Sequence, residues 1–263
     1  MNLEKVIIEN IKGLKLATII ERPEGGRIFP FVILLHGFKG YKEEPTYAEL
    51  SKELLKIGCG SIRFDASSFG ESEGDFQKEY RLTNYISDAE KVYEWLLRQD
   101  FVDKGRIGVM GQSMGGAQAL ILAANHPEIK AVVSVSPPDL FATRDDFGRK
   151  LDEWKRKGYI EIESSRAGKI KVPLDYALDA SKYDIRKYAE RIKFPKLFIL
   201  GLDDVTVVPE QTRDVFRAAP EPKELLEIKG MDHFYKNDRE ILDKVNEYIV
   251  EFFKKTYECA ECC

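Results

Sequence analysis

The sequence predicts an α/β fold, a mostly parallel, doubly wound sheet flanked by helices. Three observations predict it. Short apolar runs alternate with segments patterned at helical spacing, as parallel strands with crossover helices do. Gly111-Gln112-Ser113-Met114-Gly115, a G-x-S-x-G, stands between an apolar run and an alanine- and leucine-rich run, so it reads as a strand–turn–helix. The rhythm breaks over residues 139–194, which divides the chain into an expected core of 1–138 and 195–263 and an inserted cap.

Taken in order, Val6–Ile8 and Leu14–Ile20 flank a turn at Asn10–Gly13 and read as a hairpin, with a second turn at Pro23–Gly26. Phe31–Leu35 is a fully apolar strand, Ala48–Ile57 a helix, and Ser61–Asp65 a strand. Ile86, Ala89, Tyr93, Leu96 and Leu97 give one apolar helix face to lay on the sheet. Ile107–Met110 is a short buried strand and Met114–Asn125 a helix, followed by the strand Ala131–Val135. Inside the insertion, Tyr159–Glu163 and Lys169–Pro173 alternate apolar with charged residues around a turn-like Ser164–Gly168, which predicts a β-hairpin flanked by helices. A structureless stretch of that length would be anomalous in a compact domain. Its aromatics Phe141, Trp154, Tyr159 and Tyr176 either line a pocket or pack the cap onto the body. Lys196–Leu200 and Leu225–Ile228 are the last strands, before a C-terminal helix.

The tight turn at Ser113 leaves no room for side chains two residues either side, hence the two glycines, and it lifts the hydroxyl toward solvent. A hydroxyl needs a base to become a nucleophile, and histidine is the usual one. The chain has three histidines. His126 ends the helix that starts after Ser113, roughly 18 Å away at 1.5 Å per residue. His36 sits at a strand end. His233, in the polar loop Gly230-Met231-Asp232-His233-Phe234, is the candidate base. A carboxylate must hold its tautomer, and Asp203 and Asp204 both follow a strand at the sheet's carboxyl edge, where ligands bind in open α/β folds.

The order Ser113, Asp, His233 and the motif around Ser113 resemble the α/β-hydrolase superfamily over nearly the whole chain. The resemblance implies an acid loop G-x-x-D-x-x-V, which, aligned on Gly201 and Val207, selects Asp204. It also implies an oxyanion hole built from the amide of Met114 and that of Phe38 in His36-Gly37-Phe38, with His36 bracing the loop. In Asp65-Ala66-Ser67-Ser68-Phe69-Gly70-Glu71-Ser72, Ser68 replaces a glycine usual in the family. Together with the hairpin-bearing cap, the pattern is similar to carboxylesterases of the cinnamoyl and feruloyl esterase group. The implied activity is hydrolysis of small acyl or aryl esters through an acyl-enzyme. Serine aminopeptidase, thioesterase and perhydrolase chemistry use the same machinery; a non-catalytic ligand-binding protein is the reading from another class. Ser113 argues against a dehalogenase, which needs Asp there, and a dienelactone hydrolase, which needs Cys.

Composition narrows the rest. At 263 residues and 43% apolar, one core with an insertion is expected. A net charge of −4 implies no basic face for nucleic acid. No run reaches the 18 or so apolar residues of a membrane span, and Met1–Lys5 does not open a secretory signal, so a cytoplasmic setting is expected. Of four cysteines, Cys59 reads as a buried apolar residue, while Cys259, Cys262 and Cys263 crowd the end without the second ligand pair a zinc site needs. No metal or organic cofactor is implied. The expected partner is a small-molecule ester, and the cap's apolar surface leaves room for a homodimer.

Overall fold

The computed structural model describes residues 2–25, 28–141, 151–164 and 168–259 and sets strands where the apolar runs lie. The strands are β1 (Asn2–Glu9), β2 (Lys15–Arg22), β3 (Phe29–Leu35), β4 (Gly60–Phe64), β5 (Val102–Gln112), β6 (Ala131–Val135), β7 (Tyr159–Ser164), β8 (Gly168–Pro173), β9 (Lys196–Gly201) and β10 (Lys223–Ile228). Eight of them form one sheet in the order β1-β2-β4-β3-β5-β6-β9-β10. From β4 through β10 every pairing is parallel; β1 and β2 close one side antiparallel. Asn10 shapes the first hairpin turn by accepting from the amides of Lys12 and Leu14.

β3 shows why the run Phe-Val-Ile-Leu-Leu belongs at the centre. Its alternate residues feed two separate cores, Phe31, Ile33 and Leu35 on one face and Val32 and Leu34 on the other. Two helices, α1 (Pro45–Lys56) and α9 (Arg239–Cys259), cover the second face through Leu50, Leu54, Val245, Ile249 and Phe253. The first face is covered by α3 (Leu82–Leu97) and α4 (Met114–Asn125), the latter buried from Met114 to Ala123, as its alanine- and leucine-rich sequence demands. A four-residue α2 (Phe76–Glu79) precedes α3.

Between β6 and β9 the chain forms α5 (Leu151–Lys157), the β7–β8 hairpin, α6 (Leu174–Ala180) and α7 (Ile185–Ala189). Hydrogen bonds fasten this segment to the body. Thr83 donates its amide and hydroxyl to the Asp179 carboxylate, at 2.8 and 2.6 Å, so a residue of α6 caps the start of α3. Gln77 Nε2 donates to the Lys171 carbonyl at 2.6 Å. The indole of Trp154 is fully buried and donates to the Val172 carbonyl, so it holds α5 on the hairpin. The hairpin turn lies partly outside the described residues, as do Gly26, Cys262 and Cys263.

Two elements carry no apolar pattern to announce them. The first half of β5 is polar, Asp103-Lys104-Gly105-Arg106, and joins the sheet across a register shift beside β3. The helix α8 (Pro209–Ala218) buries Gln211 and Thr212 with Val215, so no apolar stripe marks it. Cys59 is buried and burial pushes its thiol pKa well up, in keeping with a packing role. Phe253, from α9, is fully buried in the core against Gly108 of β5. Phe253→Ala is expected to cost about 3–5 kcal/mol, read from urea unfolding midpoints at constant m-value.

Candidate active site

Ser113 lies at the joint of β5 and α4 with φ 57° and ψ −123°, a left-handed backbone that a side chain rarely adopts. Its amide donates to the Val135 carbonyl at 2.8 Å. The flanking glycines are there because strand, helix and neighbouring strand nearly touch. A Cβ at Gly111 would lie 2.1 Å from the Gly115 carbonyl oxygen, and one at Gly115 only 2.0 Å from that of Leu35. Neither obstacle is a flexible side-chain tip. Gly115→Ala is therefore expected to destabilise the protein by about 1–3 kcal/mol or more, and a melt in a thermal scan measures it.

The loop after β9 and the loop after β10 bring Asp204 and His233 to this joint. His233 Nε2 stands 3.0 Å from Ser113 Oγ, and His233 Nδ1 stands 2.7 Å from Asp204 Oδ2. With Nδ1–H donating to the carboxylate, Nε2 is left as acceptor for the Ser113 hydroxyl. The other Asp204 oxygen accepts from the amides of Thr206 and Val207, each at 2.9 Å, and the residue is 3% exposed. Of the two aspartates, Asp203 is the exposed one; its amide bonds the Met231 carbonyl. Gln112, beside Ser113 at the end of β5, donates to the His233 carbonyl at 3.0 Å and so ties the loop after β10 to that strand.

The other two histidines sit elsewhere, for visible reasons. His126 caps the end of α4 and pairs with Glu90. His36 is buried under the loop after β3. Its Nδ1 lies 2.8 Å from the Gly37 carbonyl, and its Nε2 accepts the Ala66 amide at 3.0 Å. The ring stacks on Tyr85, whose hydroxyl donates to the His36 carbonyl. An imidazole that must accept at one nitrogen has to stay neutral there, and burial pushes its pKa below the ordinary histidine value. The sign follows: the unfolded chain binds this proton more readily, so stability is complete above about pH 6.5 and falls as pH drops through the folded-state value. His36→Gln is expected to unfold more easily at pH 7.5 and to lose part of that acid slope, measured by urea unfolding at pH 5 and 7.5.

Below the same loop is a feature that no sequence pattern marked. Lys42 is almost fully buried, donates from Nζ to Asp65 at 2.8 Å, and pairs with Glu71. Burial alone would lower the Lys42 pKa, but the two carboxylates outweigh it and hold it above the usual lysine value. Asp65 also accepts the amides of Lys42 and Glu71, so it organises the loops after both β3 and β4. Ser68, where the family usually has glycine, takes the same left-handed backbone, with φ 71°.

A cavity of about 260 Å³ opens onto Ser113 and His233. Phe38 and Met114 are both on its wall. Phe141, Ile160, Ile162 and Tyr176, all from the segment between β6 and β9, make one side apolar. Glu44 and Lys236, an ion pair between the start of α1 and the short turn after His233, lie on the wall too. Of the four aromatics weighed as lining, Phe141 and Tyr176 line the cavity. Trp154 and Tyr159 do not: the first is consumed in packing, and the second lies under the Lys171 ammonium on the outer side of the hairpin. Among the described residues no cluster of three or more His, Cys, Asp or Glu is arranged to hold a metal.

The family model for the alpha/beta hydrolase fold matches residues 30–168, and the chain belongs to that family. A 31.7 kDa protein of Escherichia coli from the traX-finO intergenic region, itself uncharacterised, is 26% identical, covering 91% of this chain and 96% of that one. The thiohydrolase aneE of Aspergillus aculeatus is 31% identical across 48% of this chain and 39% of its own length. Among solved structures, Est1E of Butyrivibrio proteoclasticus with bound ferulic acid superposes with a TM-score of 0.79 at 24% identity, covering 96% of this chain and 99% of that one. Family and relatives together support hydrolase activity.

Proposed function

We propose that this protein is a serine hydrolase that cleaves carboxylic esters through an acyl-enzyme. The observation that carries the reading is the unbroken chain of hydrogen-bonding distances from Ser113 Oγ through His233 to Asp204, 3.0 and 2.7 Å. Ser113 Oγ attacks the ester carbonyl carbon while its proton passes to His233 Nε2. The imidazolium that forms faces Asp204, whose second oxygen is already saturated by two amides, so the charge is met without rearrangement. The carbonyl oxygen, now negative, is held by the amides of Phe38 and Met114, the latter at the N-terminus of α4. Collapse of the intermediate expels the alcohol, which takes the proton back from His233. Water then repeats the sequence on the acyl-enzyme and frees the acid.

The cavity supports a small acyl group. Its volume of about 260 Å³ lies below the usual range for drug-sized ligands, and Phe38, Phe141 and Tyr176 favour an aryl acyl such as hydroxycinnamoyl. The group found in Est1E is of that kind. Thioester, aminoacyl and peracid chemistry run on the same residues and are separated by substrate, with a small-molecule acyl compound as partner in each case. No helix among the described residues is long and apolar enough to cross a membrane.

Incubation with a fluorophosphonate is expected to label Ser113 once per chain, and Ser113→Ala to abolish labelling. Asp204→Asn is expected to lower kcat about 10³–10⁴-fold on a chromogenic ester with little change in KM. An unlabelled wild-type protein, or an Asp204→Asn variant of full activity, overturns the reading.

A further inference from the structure

The cap reaches both residues proposed to cradle the oxyanion, and it does so through one side chain. The Tyr176 ring, on α6, sits on the Phe38 ring with centroids 4.9 Å apart. The Tyr176 hydroxyl donates to Met114 Sδ at 3.2 Å. Phe38 lies in the loop after β3 and Met114 opens α4 after β5, and Tyr176 spans the two. A second contact works on the same loop. Lys39, the residue after Phe38, has a left-handed backbone with φ 63°, and its Nζ donates to the Glu163 carbonyl of β7 at 2.6 Å. From the body side, Tyr80 accepts the Lys39 amide at 2.8 Å and packs its ring against both Phe38 and Tyr176.

Resting on the serine-hydrolase reading above, we infer that Tyr176 is a positioning residue for the oxyanion hole, so that the cap sets the rate of the chemical step and does more than enclose the acyl group. The argument is geometric. Lys39 has no glycine's freedom, so its loop holds a disfavoured backbone only while its surroundings fix it. Among the groups that do so are Tyr80 from the body, and Tyr176 and the Glu163 carbonyl from the cap. Remove the cap contacts and the Phe38 amide is free to swing from its donor position. Preorganised donors act because they need no rearrangement at the moment charge appears, and a misplacement of 1 Å can cost about 100-fold. Tyr176 touches the ring of one donor residue and the thioether of the other. It therefore fixes the separation between the two amides as well as the place of each.

A role in shaping the pocket and a role in setting the hole separate on a substrate too small to meet the cap. p-Nitrophenyl acetate carries a two-carbon acyl group, while an aryl acyl ester such as methyl ferulate fills the space toward Ile160, Ile162 and Phe141. With Tyr176→Leu the inference expects kcat on the acetate ester to fall about 10- to 100-fold with KM within a few-fold of wild type. Tyr176→Phe keeps the ring contact and loses only the hydroxyl, so it is expected to restore most of the loss. Lys39→Met, which alters no cavity aromatic, is expected to lower kcat on the same ester in the same direction. Far-UV circular dichroism and thermal melts accompany each variant. If Tyr176→Leu does not fold, Lys39→Met decides. The inference is overturned if Lys39→Met keeps wild-type kcat in that event. It is equally overturned if Tyr176→Leu keeps wild-type kcat on the acetate ester and raises KM on the aryl ester alone. Failure of the wild-type protein itself to take a fluorophosphonate on Ser113 marks the other failure, that of the serine-hydrolase reading.

Discussion

Everything at the site depends on how closely β3, β5 and α4 approach one another. Carbonyl oxygens of Leu35 and Gly115 occupy the space where Cβ atoms at positions 115 and 111 would be. That contact lets the chain turn from β5 into α4 within one residue, and the one residue is Ser113. Its left-handed backbone costs about 1–3 kcal/mol for a residue other than glycine. The Ser113 amide bonded to Val135, its carbonyl bonded to the Ala117 amide, and the burial of α4 beneath it offset that cost. In return the hydroxyl stands clear of the sheet, and the next amide, that of Met114, opens a helix whose dipole favours negative charge. Position and electrostatics come from a single backbone event.

Electrostatics around this turn follow a simple division. Buried charges are matched before any substrate arrives: Asp204 by two amides and an imidazole, Asp65 by Lys42 and two amides, Glu44 by Lys236. Such matching is what a buried charge requires if it is to stay charged. His36 is the exception that keeps the pattern, because it is held neutral and is used as a neutral group, accepting on one nitrogen. Two histidines near one cavity thus have opposite needs. His233 must gain a proton during the proposed cycle and faces a carboxylate; His36 must never gain one and faces an amide and an aromatic ring.

The parts of this arrangement that were legible in the sequence are those in which one residue type is forced by backbone geometry or by scarcity. Gly111, Ser113 and Gly115 are forced by close approach. His233 follows by elimination from three histidines, and the buried strands follow from unbroken apolar runs. The choice between Asp203 and Asp204 was not legible from spacing alone, since it turns on which side chain the loop after β9 directs inward, and the two differ by a single rotation along the backbone. Lys42, Asp65 and Glu71 were illegible for another reason: charged residues on loops usually read as solvated, and only the packing of two loops against each other buries the lysine. The same holds for Tyr176. Nothing at its position distinguishes an aromatic that spans the loop after β3 and the start of α4 from one that fastens a helix to a hairpin, as Trp154 does.

The strain in the molecule is not scattered. Among the described residues, four other than glycine have positive φ: Lys39, Ser68, Ser113 and Ser136. They follow β3, β4, β5 and β6 respectively, the four consecutive strands at the sheet's centre, and all lie beyond the carboxyl ends of those strands. Parallel strands end together on one edge, so their loops crowd one another there and each chain must turn sharply to clear its neighbours. The fold pays for that crowding with disfavoured backbone at four adjacent loops and recovers it from cores buried on both faces of the sheet. Sharp turns are also what leave amides and hydroxyls pointing into the crevice instead of into a ladder. Ser136 shows the point away from the reacting groups: its amide bonds Ile199, and the turn it makes carries Pro138 to the cavity wall. A substitution that relaxed any of these four backbones, such as glycine at Lys39 or Ser136, would ease the fold locally while loosening the edge on which the site is built. Stability and preorganisation are therefore opposed at this edge for a geometric reason, the common direction of the strands, and would be so in any sequence that adopted this topology.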